Sequence, residues 1–334
     1  MILFEDIRDV HLEISSLCNA ACPWCPRNFW GYPYNGGYPE VNLSLSQCER
    51  IFNPSFLNQL TSIRINGNFG DIVMNLEGAD IVEYFYNHNK NIKILISTNG
   101  SARTTKFWQR LAQAKAQIAF CIDGLEDTHH LYRQNTIWQK VINNAKIFIN
   151  AGGHAIWKMI KFKHNVHQVN DCKLMSQSLG FRDFSLVTQG RDTAPVFDSN
   201  GNLTHVLGDY QGETEFKVLF HRKQTDDVIL QDIIDNRIPK KIVTCETKKL
   251  KSIYIAANGD VSPCCYTGFY PKTYGHGQYH QASNSQLIPI IAKNNAIEHP
   301  LEQCVEWFSE VENRWKIDSY QQGRLIICDD NCGS

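Results

Sequence analysis

Residues 10–25, VHLEISSLCNAACPWC, join a strand-like pattern directly to a loop with three cysteines. Residues 10–14 alternate apolar and polar side chains, the period of a β-strand with two different faces. The loop after it spaces Cys18, Cys22 and Cys25 as C-x3-C-x2-C, three thiols within eight residues. Such a loop can wrap one metal centre, and thiolates are the ligands that iron–sulfur clusters prefer. On a four-iron cubane, three protein ligands leave one iron open to a chelating cofactor. Zinc is the competing reading; it needs a fourth ligand and more often pairs two C-x2-C units. A third reading is that the cysteines are neighbours without a metal.

Outward from this segment the strand pattern recurs at residues 62–66, 92–97, 118–122, 155–162 and near 184–187. Helical patterns fall between, at 44–52, 79–87, 104–114, 137–151 and 166–179. Ser44 is the expected N-cap of the first helix, which stops before Pro54. Strands alternating with helices imply right-handed βαβ units and a parallel sheet. Six units in about 190 residues are too few for a closed eight-stranded barrel, so the expected fold is α/β, a partial (β/α)6 TIM-like barrel. Functional loops belong at the carboxyl ends of its strands. The pattern breaks after Arg191, and 192–240 reads as a connection. Residues 241–334 read as a small second domain, in which Asn258-Gly259 signals a tight hairpin between 252–256 and 260–261. No internal repeat or low-complexity tract is present.

Composition bounds the function. With 43% hydrophobic residues among 334, the chain can build a substantial core without disulfides. A formal net charge of −1 argues against a broad nucleic-acid footprint. No apolar run is long enough to span a bilayer, and acids stand where a signal peptide carries basic and apolar regions. The expected location is the cytoplasm, with no membrane partner. Twelve cysteines in that setting point to metal or redox chemistry.

Together these motifs resemble the radical S-adenosylmethionine (SAM) superfamily, in its subgroup with a C-terminal SPASM or twitch domain. The resemblance covers nearly the whole chain. It implies that Cys18, Cys22 and Cys25 hold a [4Fe–4S] cluster whose fourth iron is chelated by SAM, with Trp24 beside the adenine. It implies an electron donor such as flavodoxin or ferredoxin. Gly67, Gly70 and Asp71 stand where the family has a Gly-Gly-Glu element for the SAM amino group; here Asp replaces Glu, and a single Gly precedes it. Ser97 and Asn99, in Ser97-Thr-Asn-Gly100, stand where relatives contact ribose and methionine. Asp123 and Arg133 follow the fourth strand, where the family's Arg approaches the SAM carboxylate. By themselves, these residues also read as turn glycines, a helix cap and a surface charge.

Cys245, Gly259 and Cys264 resemble the C-x9–15-G-x4-C opening of SPASM and twitch domains, and Cys328 with Cys332 adds a C-x3-C pair. The resemblance implies one auxiliary [4Fe–4S] cluster on Cys245, Cys264, Cys328 and Cys332, in a twitch-like domain. Cys265 and Cys304 are spare and either can replace one of the four, and a structural zinc knuckle is the alternative. Cys48 and Cys172 read as core thiols, and Cys121 as a strand-end thiol that is structural or faces substrate. The implied activity is reductive cleavage of SAM to a 5′-deoxyadenosyl radical that abstracts a substrate hydrogen atom, an oxidoreductase-type reaction. The expected substrate is a peptide or protein undergoing dehydrogenation, epimerisation or crosslinking. A small molecule such as a sugar alcohol or nucleotide is the second reading, and a non-catalytic iron–sulfur or zinc protein the third. Too few residues precede Val10 for a peptide-binding winged helix, which weighs against the first. Lys158, Lys161, Lys163 and His164 crowd the fifth strand end, and alternation does not tell which of them face inward.

Overall fold

Each expected strand of the first half forms, and the apolar faces of the first five are buried. The structure, a computed structural model, describes residues 2–34, 38–188, 193–219, 234–240, 242–269 and 286–334. Six parallel strands follow one another across the sheet: β1 (Asp9–Leu12), β2 (Ser62–Ile65), β3 (Lys93–Thr98), β4 (Gln117–Cys121), β5 (His154–Ile160) and β6 (Asp183–Val187). Between them run α1 (Leu45–Ile51), α2 (Pro54–Gln59), α3 (Gly78–His88), α4 (Thr105–Gln113), α5 (Glu126–Tyr132), α6 (Trp138–Asn150) and α7 (Val169–Ser178). This is the partial (β/α)6 barrel expected from the sequence.

Local chemistry sets the helix ends. Ser44 caps α1 in a reciprocal capping box with Gln47. Pro54 does end that helix, and it also opens α2 as its first residue, with Asn53 as N-cap. α2 and α5 are additions to the sequence reading. So is an antiparallel hairpin inside the connection, β7 (Ala194–Phe197) with β8 (Leu203–Leu207). The domain boundary expected at 191–192 lies outside the described residues.

The expected C-terminal hairpin is β9 (Ser252–Ile255) and β10 (Val261–Ser262), turning at Gly259 with φ +92°. Its first strand pairs in parallel with β1, so the hairpin continues the barrel sheet past its first strand. Asp9 binds this junction together, accepting from Ser252 at 2.6 Å and Arg64 at 3.0 Å. The C-terminal segment adds α8 (Glu246–Lys249), α9 (Leu301–Cys304), α10 (Phe308–Arg314) and α11 (Ile326–Cys332).

Alternation along the barrel strands has one sense throughout. Val10, Leu12, Ile63, Ile65, Ile94, Ile96, Ile118, Phe120, Trp157 and Met159 are at most 2% exposed and form the core with the helices. Trp108 packs on Phe120 at 5.3 Å, and Trp157 on Phe181 at the same distance. The opposite parity carries His11, Asn66, Ser97, Cys121 and Lys158, which face a cavity. The lumen is therefore polar, and the apolar seal is made outside the barrel by side chains that each contribute about 1.5–3 kcal/mol on burial.

Arg324 fastens the C-terminal helices. Its guanidinium donates to Asp329 at 2.8 and 2.9 Å and to the carbonyl oxygens of Ile317 and Lys240, while Tyr320 donates to the same carboxylate at 2.9 Å. Both ionic side chains are buried. Arg324→Met leaves a buried carboxylate without its partner, and it is expected to cost roughly 3–5 kcal/mol, measured by denaturant unfolding.

Candidate active site

The carboxyl ends of β1 to β6 open onto a cavity of about 510 Å³. Cys18, Cys22, Trp24, Cys25, Gly67, Gly70, Asp71, Ser97, Asn99 and Arg133 all line it. Asp123, fully buried, stands behind Arg133.

The cysteine loop turns tightly, with Cys25 N–H donating to the Cys22 carbonyl at 2.9 Å. Polar hydrogens already point at its sulfurs. Ala20 N–H donates to Cys18 Sγ at 3.4 Å, Asn99 Nδ2 to the same sulfur at 3.6 Å, and Arg133 to Cys22 Sγ at 3.7 Å. Burial pushes the Cys18 thiol well up, and Asp71, Cys25 and Cys22 add to this through like-charge repulsion. Burial raises Cys22 to about 11 against the pull of Arg133. Neighbouring thiols of raised pKa are poor thiolates unless a cationic centre joins them, and an iron–sulfur core would be such a centre. Among the described residues no three His, Cys, Asp or Glu side chains are placed to hold one single ion. Three thiols on one loop are a donor set of the kind that would suit an iron–sulfur cluster.

The loop after β2 is held from below. Glu13, the last polar residue of the first strand pattern, is buried and accepts from Phe69 N–H at 2.7 Å, Gly70 N–H at 3.0 Å and Tyr254 Oη at 3.1 Å. Burial raises its pKa while those donors lower it. The glycines are required by close approach. A Cβ at Gly67 would sit 2.4 Å from Glu13 Oε1, and one at Gly70 would sit 1.7 Å from the Ser15 carbonyl oxygen. Asp71 lines the cavity, yet its carboxylate accepts from Thr98 Oγ1 at 2.6 Å, Asn99 N–H at 2.7 Å and Val73 N–H at 3.1 Å. It ties the end of β2 to the end of β3. Asp123 accepts from Arg133 Nε and from Ile160 N–H, each at 2.6 Å, and so aims the guanidinium at the cavity. Glu13 escaped the sequence reading because its place in an alternating strand resembles that of a solvent-facing residue.

A second, smaller cavity is lined by Cys245, Cys264, Cys328 and Cys332, the four thiols expected to act together. Cys332 shares a hydrogen bond with Cys245, which lowers Cys245 to about 6 and raises Cys332. Burial pushes Cys328 and Cys264 up. The spare thiols lie elsewhere: Cys265 lines the barrel cavity, and Cys304 is in the core, 3.7 Å from the His299 carbonyl oxygen. Cys48 and Cys172 are core thiols as expected. Tyr266 lines both cavities.

Glu13→Ala removes the acceptor of two buried N–H groups, at about 1–3 kcal/mol each. Hydrogen exchange at Phe69 and Gly70 is expected to accelerate by an order of magnitude or more, while α6 keeps its protection.

No family model matches the chain, and no curated protein is detectably similar in sequence. Solved structures do share its fold. Streptococcus suis SuiB bound to S-adenosylmethionine is similar at a TM-score of 0.55 and 14% identity, over 90% of this chain and 65% of that one. This chain thus spans 65% of the length of that SuiB structure. SuiB bound to the precursor peptide SuiA gives 0.55 and 15%, over 96% of this chain and 76% of that one. Native anSMEcpe with bound AdoMet and the Cp18Cys peptide gives 0.53 and 18%, over 97% and 88%. The chain therefore has the α/β fold of SuiB and anSMEcpe, the fold that its resemblance to the radical SAM superfamily implies.

Proposed function

We propose that this chain is a radical SAM enzyme that carries a [4Fe–4S] cluster on Cys18, Cys22 and Cys25 and binds SAM in the barrel cavity. The observation that carries the reading is the convergence of those three thiols with Trp24, Asn99 and Arg133 on one cavity at the strand ends. When bound, the cluster supplies the electron that cleaves SAM to methionine and a 5′-deoxyadenosyl radical, which takes a hydrogen atom from substrate. The protein's own part is to bind, orient and keep water out. Arg133, aimed by Asp123, offers a guanidinium fork to the methionine carboxylate. Trp24 offers a flat face to adenine, and Ser97 and Asn99 offer polar groups to ribose and methionine. Gly67 and Gly70 let the loop lie against Glu13 and Ser15, which sets its backbone beside the cavity for the amino group.

Cys245, Cys264, Cys328 and Cys332 are the ligands proposed for an auxiliary [4Fe–4S] cluster in a twitch-like domain, supported by the cavity they share. Tyr266, which borders both cavities, supports a role for that cluster in moving an electron to or from the barrel. The proposed substrate is a peptide or protein, dehydrogenated, epimerised or crosslinked, with flavodoxin or ferredoxin as reductant. Support comes from the shared fold with SuiB, solved with SuiA, and with anSMEcpe, solved with the Cp18Cys peptide.

Anaerobic purification, reconstitution with iron and sulfide, reduction and addition of SAM test this directly. About eight irons per chain with 5′-deoxyadenosine formation are expected, falling to about four irons in Cys245→Ala/Cys264→Ala. Cys18→Ala should form no 5′-deoxyadenosine. Zinc in place of iron, or no SAM cleavage under reducing conditions, overturns the reading.

A further inference from the structure

The basic stretch at the end of β5 divides once its side chains are placed. Lys163 turns away and pairs with Asp209, and Lys161 is exposed. Lys158 alone of the three lines the barrel cavity. It stands in register with Cys121 on β4 and Ser185 on β6.

The charged side chains Arg133 and Asp71 of the cavity already have partners. Arg133 is paired with Asp123, whose other oxygen takes Ile160 N–H. Asp71 is occupied by Thr98, Asn99 and Val73. Among the described residues, Lys158 has neither a hydrogen-bond acceptor nor a carboxylate partner. Lys158 is half-buried, and a cation so placed is stabilised by an anion that enters the cavity. Lys158 acts electrostatically on Cys121, where it and Arg133 oppose the effect of burial. Of the cluster-loop thiols, Cys22 meets Arg133 at 3.7 Å and Cys18 meets Asn99 at 3.6 Å. Lys158 therefore shares the cavity with Arg133, and because Arg133 is the group proposed for the SAM carboxylate, Lys158 is left for a different anion.

We propose that Lys158 anchors a carboxylate of the substrate, beside Cys121. The inference rests on the proposed SAM-cleaving function of the same cavity and names the chemical class of what enters it. One ammonium with three donors matches a monoanion. A phosphate dianion is ordinarily met by an arginine fork or a nest of backbone N–H groups.

The thiol of Cys121 makes the site measurable. The reconstituted protein is alkylated with iodoacetate or with iodoacetamide, and the Cys121 peptide is quantified by mass spectrometry. Both reagents need the same thiolate, so their ratio reports only attraction of the carboxylate. Lys158→Met is expected to lower the iodoacetate-to-iodoacetamide ratio about tenfold, and Lys158→Arg to retain it. Acetate should slow the iodoacetate reaction in the unmodified chain and not in Lys158→Met. Equal ratios in the two proteins overturn the proposal. So does loss of the preference under saturating SAM, which would give Lys158 to the SAM carboxylate, or protection by inorganic phosphate without protection by acetate. 5′-Deoxyadenosine measured on the same preparations separates the two readings. Its absence overturns SAM cleavage, whereas loss of the iodoacetate preference overturns the Lys158 site alone.

Discussion

Glu13 occupies a place where three parts of the chain meet, and the cavity keeps its shape through it. The carboxylate leaves the first strand, enters the lumen and takes two backbone N–H groups from the loop after β2. Its second oxygen takes the hydroxyl of Tyr254, from the C-terminal hairpin. Burying a carboxylate is costly unless hydrogen bonds compensate, and here each donor comes from a segment that must be in place first. The Gly67–Gly70 loop can lie against Glu13 only because Gly67 has no Cβ to meet Oε1. Support for the loop and attachment of the C-terminal hairpin are therefore one interaction.

Around that point the barrel reverses the usual contents of a lumen. A closed barrel fills its interior with branched apolar side chains. Here those residues point out to the helices, and His11, Asn66, Ser97, Cys121 and Lys158 point in. A partial barrel tolerates this because its interior stays open, and polar side chains can meet water or a ligand. The cavity is thus a consequence of strand parity, repeated from β1 to β6.

Strand parity is also why so much of the fold was legible in the sequence. Alternation and helix periodicity located the six parallel strands and five of the seven barrel helices to within a few residues, and none of the four C-terminal helices. Neither signal says which face of a strand looks inward, so Lys158 could not be told apart from Lys161 and Lys163. Pro54 was legible as a stop and not as a start. β7 and β8 are short strands in a segment rich in turn formers, and they had no period to show. In the candidate site, spacing brought out the cysteines and the strand-end glycines. It did not expose Glu13, or the use of the Asp71 carboxylate within the loop, because both depend on partners distant in the chain. The same holds for Arg324 and Asp329, whose importance lies in their burial.

The parallel pairing of β1 with β9 has a consequence for how the chain matures. Residues 9–12 find this neighbour only at residues 252–255, a separation of most of the chain. Contacts of such sequence distance are slow to form, because a long loop must close before they are rewarded. During synthesis the first strand has β2 on one side early, while its other edge waits until the hairpin has emerged. The three-cysteine loop begins at that strand's end, and the Tyr254 hydroxyl that completes the Glu13 contact arrives with the hairpin. The site is accordingly finished only after that hairpin, although its first cysteine precedes the hairpin by most of the described chain.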